Sequence, residues 1–595
     1  MIGFPIPLRV LTWAALHVMP LGIVLLLPST LRAQPAIEGY ADYKLLSDQI
    51  KALDESDLVN VSSLGKTLSG REVLLISISQ GPPEAKPAIL IVGNVEAGHL
   101  VGSELAMRIA QQIVGTQANA ETSRKMLERF TFYIIPRPSP DASEHFFDRP
   151  SIERSGNDRS TDDDRDGETD EDPAQDLNGD DVITMMRVED ASGAYIQHPS
   201  DARVMIKADS RKNEQGRYAM YSEGRDDDGD EAFNEDGPGG VSFNRNFPHR
   251  YPFFEPLAGP HQVSEVETRA VADFAFAHPN IALVFSFSPE DNLLVPWKPG
   301  SGSDSRLKPT INSSDAEYVN YLAEQYRAIV PAKDAPTSPA GTGSFSEWAY
   351  YQYGRWSLAA RGWWIPKTVA KNDPAVDGAK DATAKPTELK TDDQKNGDVK
   401  NSDAKNSDKD KRGADDLSAL AWFKQEGIDG FVDWRPFEHP DFPGKKVEIG
   451  GFKPFLRHNP PSKEFAPLAE KHFRFITRLT ELMPRIEIAA VEVKSLGSNV
   501  YRVTAQVRNG GFLPTMATFG RTANEAYPLQ IHIDLPAGAK LITGHARSRF
   551  DRLGGNGEKA EHAWLLVAPT PGTNQVVVSI NSPCVGKDSK SVELK

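Results

Sequence analysis

At 595 residues the chain is long enough for two or more domains, each with its own hydrophobic core. Its formal net charge of -16 argues against a nucleic-acid partner, because an acidic surface repels phosphate. With Cys584 as its 1 cysteine, it can build neither an internal disulfide framework nor a cysteine-ligated zinc cluster.

The first residues carry Arg9, an apolar run from Val10 to Leu27 interrupted by Pro20 and Gly22, and then Ser29, Thr30, Leu31, Arg32 and Ala33. This is the order of a signal peptide, with cleavage expected after Ala33 (residues 1-33); an uncleaved anchor is the alternative. No later stretch is apolar enough to span a bilayer, so the expectation is an exported protein, periplasmic, cell-surface or secreted, with no membrane span after cleavage.

Periodicity then predicts a helix over Tyr40 to Leu58, a strand over Val73 to Ile78 and a buried strand over Ala88 to Val92 that ends at Gly93. An amphipathic helix over Ser103 to Val114 and a buried strand over Phe130 to Ile135 follow. Strand, helix and strand in this order predict an α/β fold. The turn after the central strand holds Glu96 and His99. A carboxylate and an imidazole three residues apart at a strand's carboxyl end suit one metal ion or one substrate; two solvated loop side chains are the alternative.

The stretch Ile89 to Glu104, ILIVGNVEAGHLVGSE, resembles the metal-binding signature of the zinc carboxypeptidase (carboxypeptidase A) family: strand, Gly, His-x-x-Glu and a Gly-containing helix start. Gly93, Gly102 and Glu104 match. The family has His first and Glu second, whereas this chain has Glu96 first and His99 second. Pro136 to Asp141 resembles the family's loop ending in Asn-Pro-Asp-Gly, with Ser139 for Asn and Ala142 for Gly. The resemblance implies a mixed sheet layered with helices over residues 40-485, a zinc ion, and removal of a C-terminal residue from a peptide with a free carboxylate.

An insertion at about 157-240 is dense in carboxylates. Asp162, Asp164 and Asp166 alternate before Gly167 and Asp170, as in the first half of an EF-hand calcium loop, but Pro173 stands at its twelfth position. Asp176, Asn178 and Asp180 repeat the alternation, and Asp226, Asp228 and Asp230 repeat it again. Unpaired carboxylates at this density repel one another, so structural calcium is expected here, with a solvated acidic loop as the alternative.

Ser242 to Phe247, SFNRNF, is similar to the family's Asn-Arg pair, so by resemblance Asn244 and Arg245 bind a terminal carboxylate, a role that a guanidinium fork suits. Arg159 in GNDR stands for the family's carbonyl-polarising Arg by a looser match. Ser264 to Phe276 predicts a helix opened by a Ser cap with Glu267 three residues on, followed by the strand Ile281 to Phe287. The family's third zinc ligand, a His, comes next. Here Ser288 stands there, with Glu290 as a substitute. Gly343 to Trp348 resembles the family's approach to its general-base Glu, at whose position stands Arg361, which cannot act as a base near neutral pH. These substitutions predict a catalytically impaired member that keeps carboxylate recognition. An active enzyme with a rearranged metal site and a calcium-stabilised surface or cell-wall binding scaffold are the alternatives.

Lys367 to Asp416 is rich in Lys, Asp, Asn, Thr and Ala with few large apolar residues, and is expected to be disordered. Ordered structure is expected again over Leu417 to Gly427 and Gly430 to Trp434, and a helix over Glu464 to Met483 closes the domain. From Ile486 short alternating segments separated by Gly, Pro and Asn turns predict a C-terminal all-β sandwich of immunoglobulin-like type over 486-595.

Overall fold

The computed structural model describes residues 38–115, 119–163, 165, 167–227, 229, 233–234, 237, 239–300, 310–331, 335–338, 341–367, 412–523, 525–569 and 575–595. The expected signal peptide, most of the expected disordered segment, and Asp164, Asp166, Asp228 and Asp230 lie outside them.

Ala88–Val92 is a run of five wholly buried residues, and such a run sits at the centre of a sheet covered on both faces. The sheet has six strands, in the order Val59–Lys66, Glu72–Ile78, Thr131–Ile135, Ala88–Val92, Ile281–Phe287 and Trp356–Ala360. Its first two pairings are antiparallel and the rest are parallel, so it is mixed. Helices Val101–Val114 and Phe465–Leu482 pack on one face, their apolar stripes merging with Ile89, Ile91 and Phe285. The helices Val266–Ala277 and Phe345–Tyr351 cover the other.

Boundaries differ from the sequence-based expectation where local chemistry overrides periodicity. The first helix covers only Tyr43–Leu53, because Asp42 caps it by accepting the Leu45 amide at 2.7 Å. Leu58 instead leads into the edge strand Val59–Lys66, whose half-exposed pattern hides it in the sequence. Ser264 does not cap the helix Val266–Ala277: its hydroxyl donates to Glu265 at 2.7 Å, while Glu267 is buried against Asn157. The helix Ala414–Glu426 starts inside the segment expected to be disordered, opened by Gly413 at φ 71°, and Arg412 just before it pairs with Glu214 at 2.7 Å.

The acidic insertion is more than loops. Its strands Met185–Glu189, Tyr195–His198, Asp201–Lys207 and Tyr218–Ser222 join Phe431–Phe437 and Val447–Phe452 in a second six-stranded sheet, whose strand pairings are antiparallel. One face buries Met186, Val188, Val447 and Ile449 in a small core of its own.

Beyond Met483 the chain forms two four-stranded antiparallel sheets that bury alternate residues, among them Val503, Trp564, Ile531 and Val578, in one core. Asp315 is one of the groups that join this all-β unit to the α/β part. That buried carboxylate accepts the Tyr350 hydroxyl at 2.9 Å, the Thr518 amide and hydroxyl at 2.8 Å each, and the Arg552 guanidinium at 2.8 Å.

Candidate functional site

The site lies where Ala88–Val92 and Ile281–Phe287 end side by side, the usual crevice for a ligand on an α/β sheet. Gly93 and Gly102 let the turn after the central strand pack tightly. A Cβ on Gly93 would stand 2.5 Å from the Pro136 carbonyl, and one on Gly102 would stand 2.7 Å from the Asn94 nitrogen. Asn94, at φ 44°, holds the turn by donating its amide to the Glu96 and Ala97 carbonyls at 2.9 and 3.0 Å.

That turn sends its two notable side chains to different neighbours. The Glu96 carboxyl meets Ser155 and Asn244 through hydrogen bonds and faces Arg245 and Glu153. Burial outweighs these partners and pushes it up to about 7. The Glu290 carboxyl stands on the other side of Asn244. Burial, with Glu347 and Glu96 adding like charge, pushes it up to about 8, against hydrogen bonds from Ser344 and Asn244. The Asn244 carbonyl is taken by the Phe345 amide at 3.1 Å, which leaves its NH2 for the two carboxyls. Glu347 is itself buried and held by Arg250 at 2.8 Å.

Arg245 faces Glu96. One arm of its guanidinium reaches the exposed rim residue Glu255 at 2.9 Å, and its Nε is buried with no acceptor. Glu290 Oε2 is likewise buried without a partner.

His99 is not part of that group. It is 3 % exposed and faces His458, whose ring centre lies 6.2 Å away, and Arg361; burial first, then repulsion of its charged form by these neighbours, hold it well below the usual imidazole range. Arg361 gives its backbone amide to Asp291 at 2.7 Å and its guanidinium to the Pro289 and Thr337 carbonyls at 2.8 and 3.2 Å. Ser288 is buried, and its hydroxyl accepts the Glu290 amide at 3.2 Å, so its oxygen serves the turn. Arg159 does not reach the crevice either: its Nε is forked between both oxygens of buried Glu265, at 2.9 and 3.1 Å.

Sequence reasoning missed Ser155, Glu153, Glu347, Asp291 and His458. Glu153 and Ser155 sit in a loop of no recognisable pattern, and His458 lies nearly a hundred residues beyond the last motif. Asp291 had a signal, since it adjoins Glu290 and is followed by Asn292. It accepts the Leu293 and Leu294 amides at 2.7 and 2.6 Å, and burial still pushes it up to about 6.

In the acidic insertion the described carboxylates turn onto their own loops. Asp176 accepts the Gly179, Asp180 and Asp181 amides, Asn178 accepts that of Asp180, and Asp180 accepts that of Val182, at 2.8 to 3.2 Å. Asp226 accepts the Gly229 amide at 2.6 Å, and Asp170 accepts that of Thr161 at 3.3 Å. Asp162 keeps one buried oxygen without a partner. Among the described residues no three His, Cys, Asp or Glu side chains are grouped to hold a metal ion, so the expected calcium has no support here.

Residues 47–363 match the zinc carboxypeptidase family profile, more than half of the chain, and 485–593 match a domain of unknown function. The chain belongs to the zinc carboxypeptidase family. It is 28% identical over 114 residues to a zinc carboxypeptidase of Saccharothrix mutabilis subsp. capreolus, covering 18% of this chain and 26% of that one. It is 25% identical over 126 residues to the inactive metallocarboxypeptidase ECM14 of Saccharomyces cerevisiae, covering 20% of this chain and 29% of that one. The chain thus spans about a quarter of the length of these curated relatives. The crystal structure of carboxypeptidase A from Helicoverpa armigera aligns at 15% identity and TM-score 0.32, over 52% of this chain and 61% of that one.

The zinc implied by the family does not fit the residues present. Zinc in such enzymes takes three protein ligands with one open position. Here two carboxyls face each other, the imidazole is turned toward His458 and the serine oxygen is engaged in its own turn.

Proposed function

We propose that this chain is an exported, non-hydrolysing member of its family that holds a peptide or peptide-like ligand by its free terminal carboxylate. The observation that carries the reading is the buried Nε of Arg245, a charged donor without an acceptor that faces the Glu96 carboxyl. A guanidinium in that state binds a carboxylate through charge-assisted hydrogen bonds, and the exposed Glu255 at its rim is displaced at little cost. Glu290, pushed up to about 8, is mostly protonated at pH 7 and Glu96, pushed up to about 7, is half protonated there, so near neutral pH Glu290 donates a hydrogen bond to the ligand and Glu96 repels it only in part. The NH2 of Asn244 orients both.

Hydrolysis needs an activated water and a base, and Arg361 supplies neither. The relative named as an inactive metallocarboxypeptidase is consistent with a family member that does not cut. Export through residues 1-33 and an immunoglobulin-like sandwich over 486-595 complete the proposal.

The test combines turnover, zinc content and binding. Purified protein dialysed against zinc and then against metal-free buffer is expected to carry far less than one zinc per chain and to leave peptides uncut. It is expected to bind peptides with a free C-terminus and to ignore the amidated forms. Turnover that is lost on Glu96→Ala or His99→Ala would overturn this reading in favour of a rearranged metal site.

A further inference from the structure

The inserted sheet has a second face, opposite its small core. Strand alternation turns Met185, Arg187 and Met220 to that face, while Met186, Val188 and Tyr221 turn inward. There Met185, Met205, Met220, Phe431, Trp434 and Phe452 line a cavity of about 400 Å³. Phe431, Trp434 and Phe452 belong to chain beyond the family match, which ends at residue 363.

Its chemistry favours an uncharged occupant. The charged groups at its border are already paired: Arg203 with Asp201 at 2.7 Å, Arg457 with Asp416 at 2.7 Å, and Glu153 with the Phe455 amide at 3.2 Å. Guanidinium groups stack on its rings, Arg203 over Phe431, Arg187 over Trp434 and Arg457 over Phe452 at 5.7, 4.6 and 5.0 Å, and Arg187 also meets the Met205 sulfur at 3.5 Å; Met185 and Met220 add thioethers, adaptable groups that make favourable contacts with aromatic rings. The volume lies within the range of small-ligand pockets, and an aromatic side chain brings roughly 150–250 Å² to bury.

The cavity is joined to the carboxyl site by four consecutive residues. Ile152 and Glu153 line it, and Ser155 hydrogen-bonds Glu96. Three residue steps span at most about 10 Å of extended chain at roughly 3.3 Å each. We propose that this cavity receives an apolar or aromatic side chain of the ligand whose carboxylate Arg245 holds, about three residues upstream of its C-terminus. The inference rests on the carboxylate reading above and adds a specificity to it.

Calorimetric titration with Phe-Gly-Gly-Gly and with tetraglycine separates the two. The phenylalanine peptide is expected to bind about 10-fold tighter, the return for burying one such side chain. Met185→Trp, which fills the cavity, is expected to abolish that advantage and leave tetraglycine binding unchanged; Met220→Trp repeats the test from the adjacent strand should the first variant melt early. Arg245→Ala is expected to weaken both peptides and keep their ratio. Equal binding of the two peptides, or an advantage that survives both filled variants, would overturn the cavity assignment and leave the carboxylate reading standing. If neither peptide binds, the carboxylate reading falls, and calorimetric titration with N-acetylphenylalaninamide decides the cavity. Saturable binding lost in Met185→Trp supports it as an apolar site, and no binding overturns it.

Discussion

Arg361 donates its backbone amide to the Asp291 carboxylate at 2.7 Å, tying the end of the edge strand Trp356–Ala360 to the loop after its neighbour Ile281–Phe287. Asp291 also caps that loop through the Leu293 and Leu294 amides, so one buried carboxylate fixes the segment that carries Glu290. Asp291→Ala is expected to strand three backbone donors and to destabilise the protein by about 2–4 kcal/mol. Urea unfolding measures the loss. The Phe-Gly-Gly-Gly titration of the same variant is expected to weaken as well, because Glu290 loses its support.

The carboxyl pair gives a pH dependence whose sign is fixed. A carboxyl raised in the folded protein keeps its proton longer there than when unfolded. Its contribution to stability is therefore whole below the unfolded value near 4.5 and is lost as pH rises through the folded value, about 7 for Glu96 and about 8 for Glu290. Buried His99, held low, acts in the opposite sense and loses its contribution as pH falls below 6.5. Above 6.5 only the carboxyl effect remains between these groups. The melting temperature is expected to fall from pH 6.5 to 9, and Glu290→Gln to flatten that slope and raise the value at pH 9 by about 2 °C. A slope unchanged by the substitution would show that Glu290 does not carry it.

The parts of the fold legible in the sequence are those where burial is complete. Ala88–Val92 is an uninterrupted apolar run and Ile281–Phe287 is broken only by Ser286, and the structure buries every residue of both inside the sheet. The inserted sheet was hidden because its strands are short and half-exposed, as in Tyr195–His198 and Tyr218–Ser222, and because its partners Phe431–Phe437 and Val447–Phe452 arrive about two hundred residues later. In the site, the motif SFNRNF led to Asn244 and Arg245, and Glu96 and Glu290 come together beside Asn244. Spacing placed His99 on the same turn but could not give its direction. That direction depends on His458, contributed by a loop that no local pattern connects to the strand.

Arg245 gives the most direct test of binding. Removing its side chain takes away the charged fork and leaves the carboxyls and Asn244 in place. Arg245→Ala is expected to weaken a free-carboxylate peptide by about 2 kcal/mol, roughly 30-fold, in calorimetry. Arg245→Lys is expected to recover only part of this, since an ammonium cannot bind a carboxylate through two parallel bonds. Because ionised Glu96 and Glu290 repel the ligand, wild-type affinity is also expected to fall between pH 7 and 9. Full affinity in Arg245→Ala would move the recognition elsewhere.

The join between the two domains turns on Asp315, which is 0% exposed and accepts bonds from Tyr350 on one side and from Thr518 and Arg552 on the other. Removing one member of a buried charged network leaves the others uncompensated, at a cost of about 3–5 kcal/mol. Here the stranded groups include the Arg552 guanidinium and the Tyr350 hydroxyl, and both lie at the seam, so the loss falls there first. Aromatic packing crosses it too, Tyr321 on Phe512 and Tyr350 on Phe519 with ring centres 4.3 and 5.2 Å apart, and so do the Cys584 thiol on the Pro279 carbonyl at 3.0 Å and Arg355 on the Glu525 carbonyl at 2.9 Å. Asp315→Ala is therefore expected to split a single calorimetric unfolding transition into two, with the C-terminal sandwich melting first. Asp315→Asn, which keeps one acceptor for Thr518 and lowers the cost for Tyr350, is expected to fall between. A single transition shifted down as a whole would mean that the domains share their core too closely for the seam to fail alone.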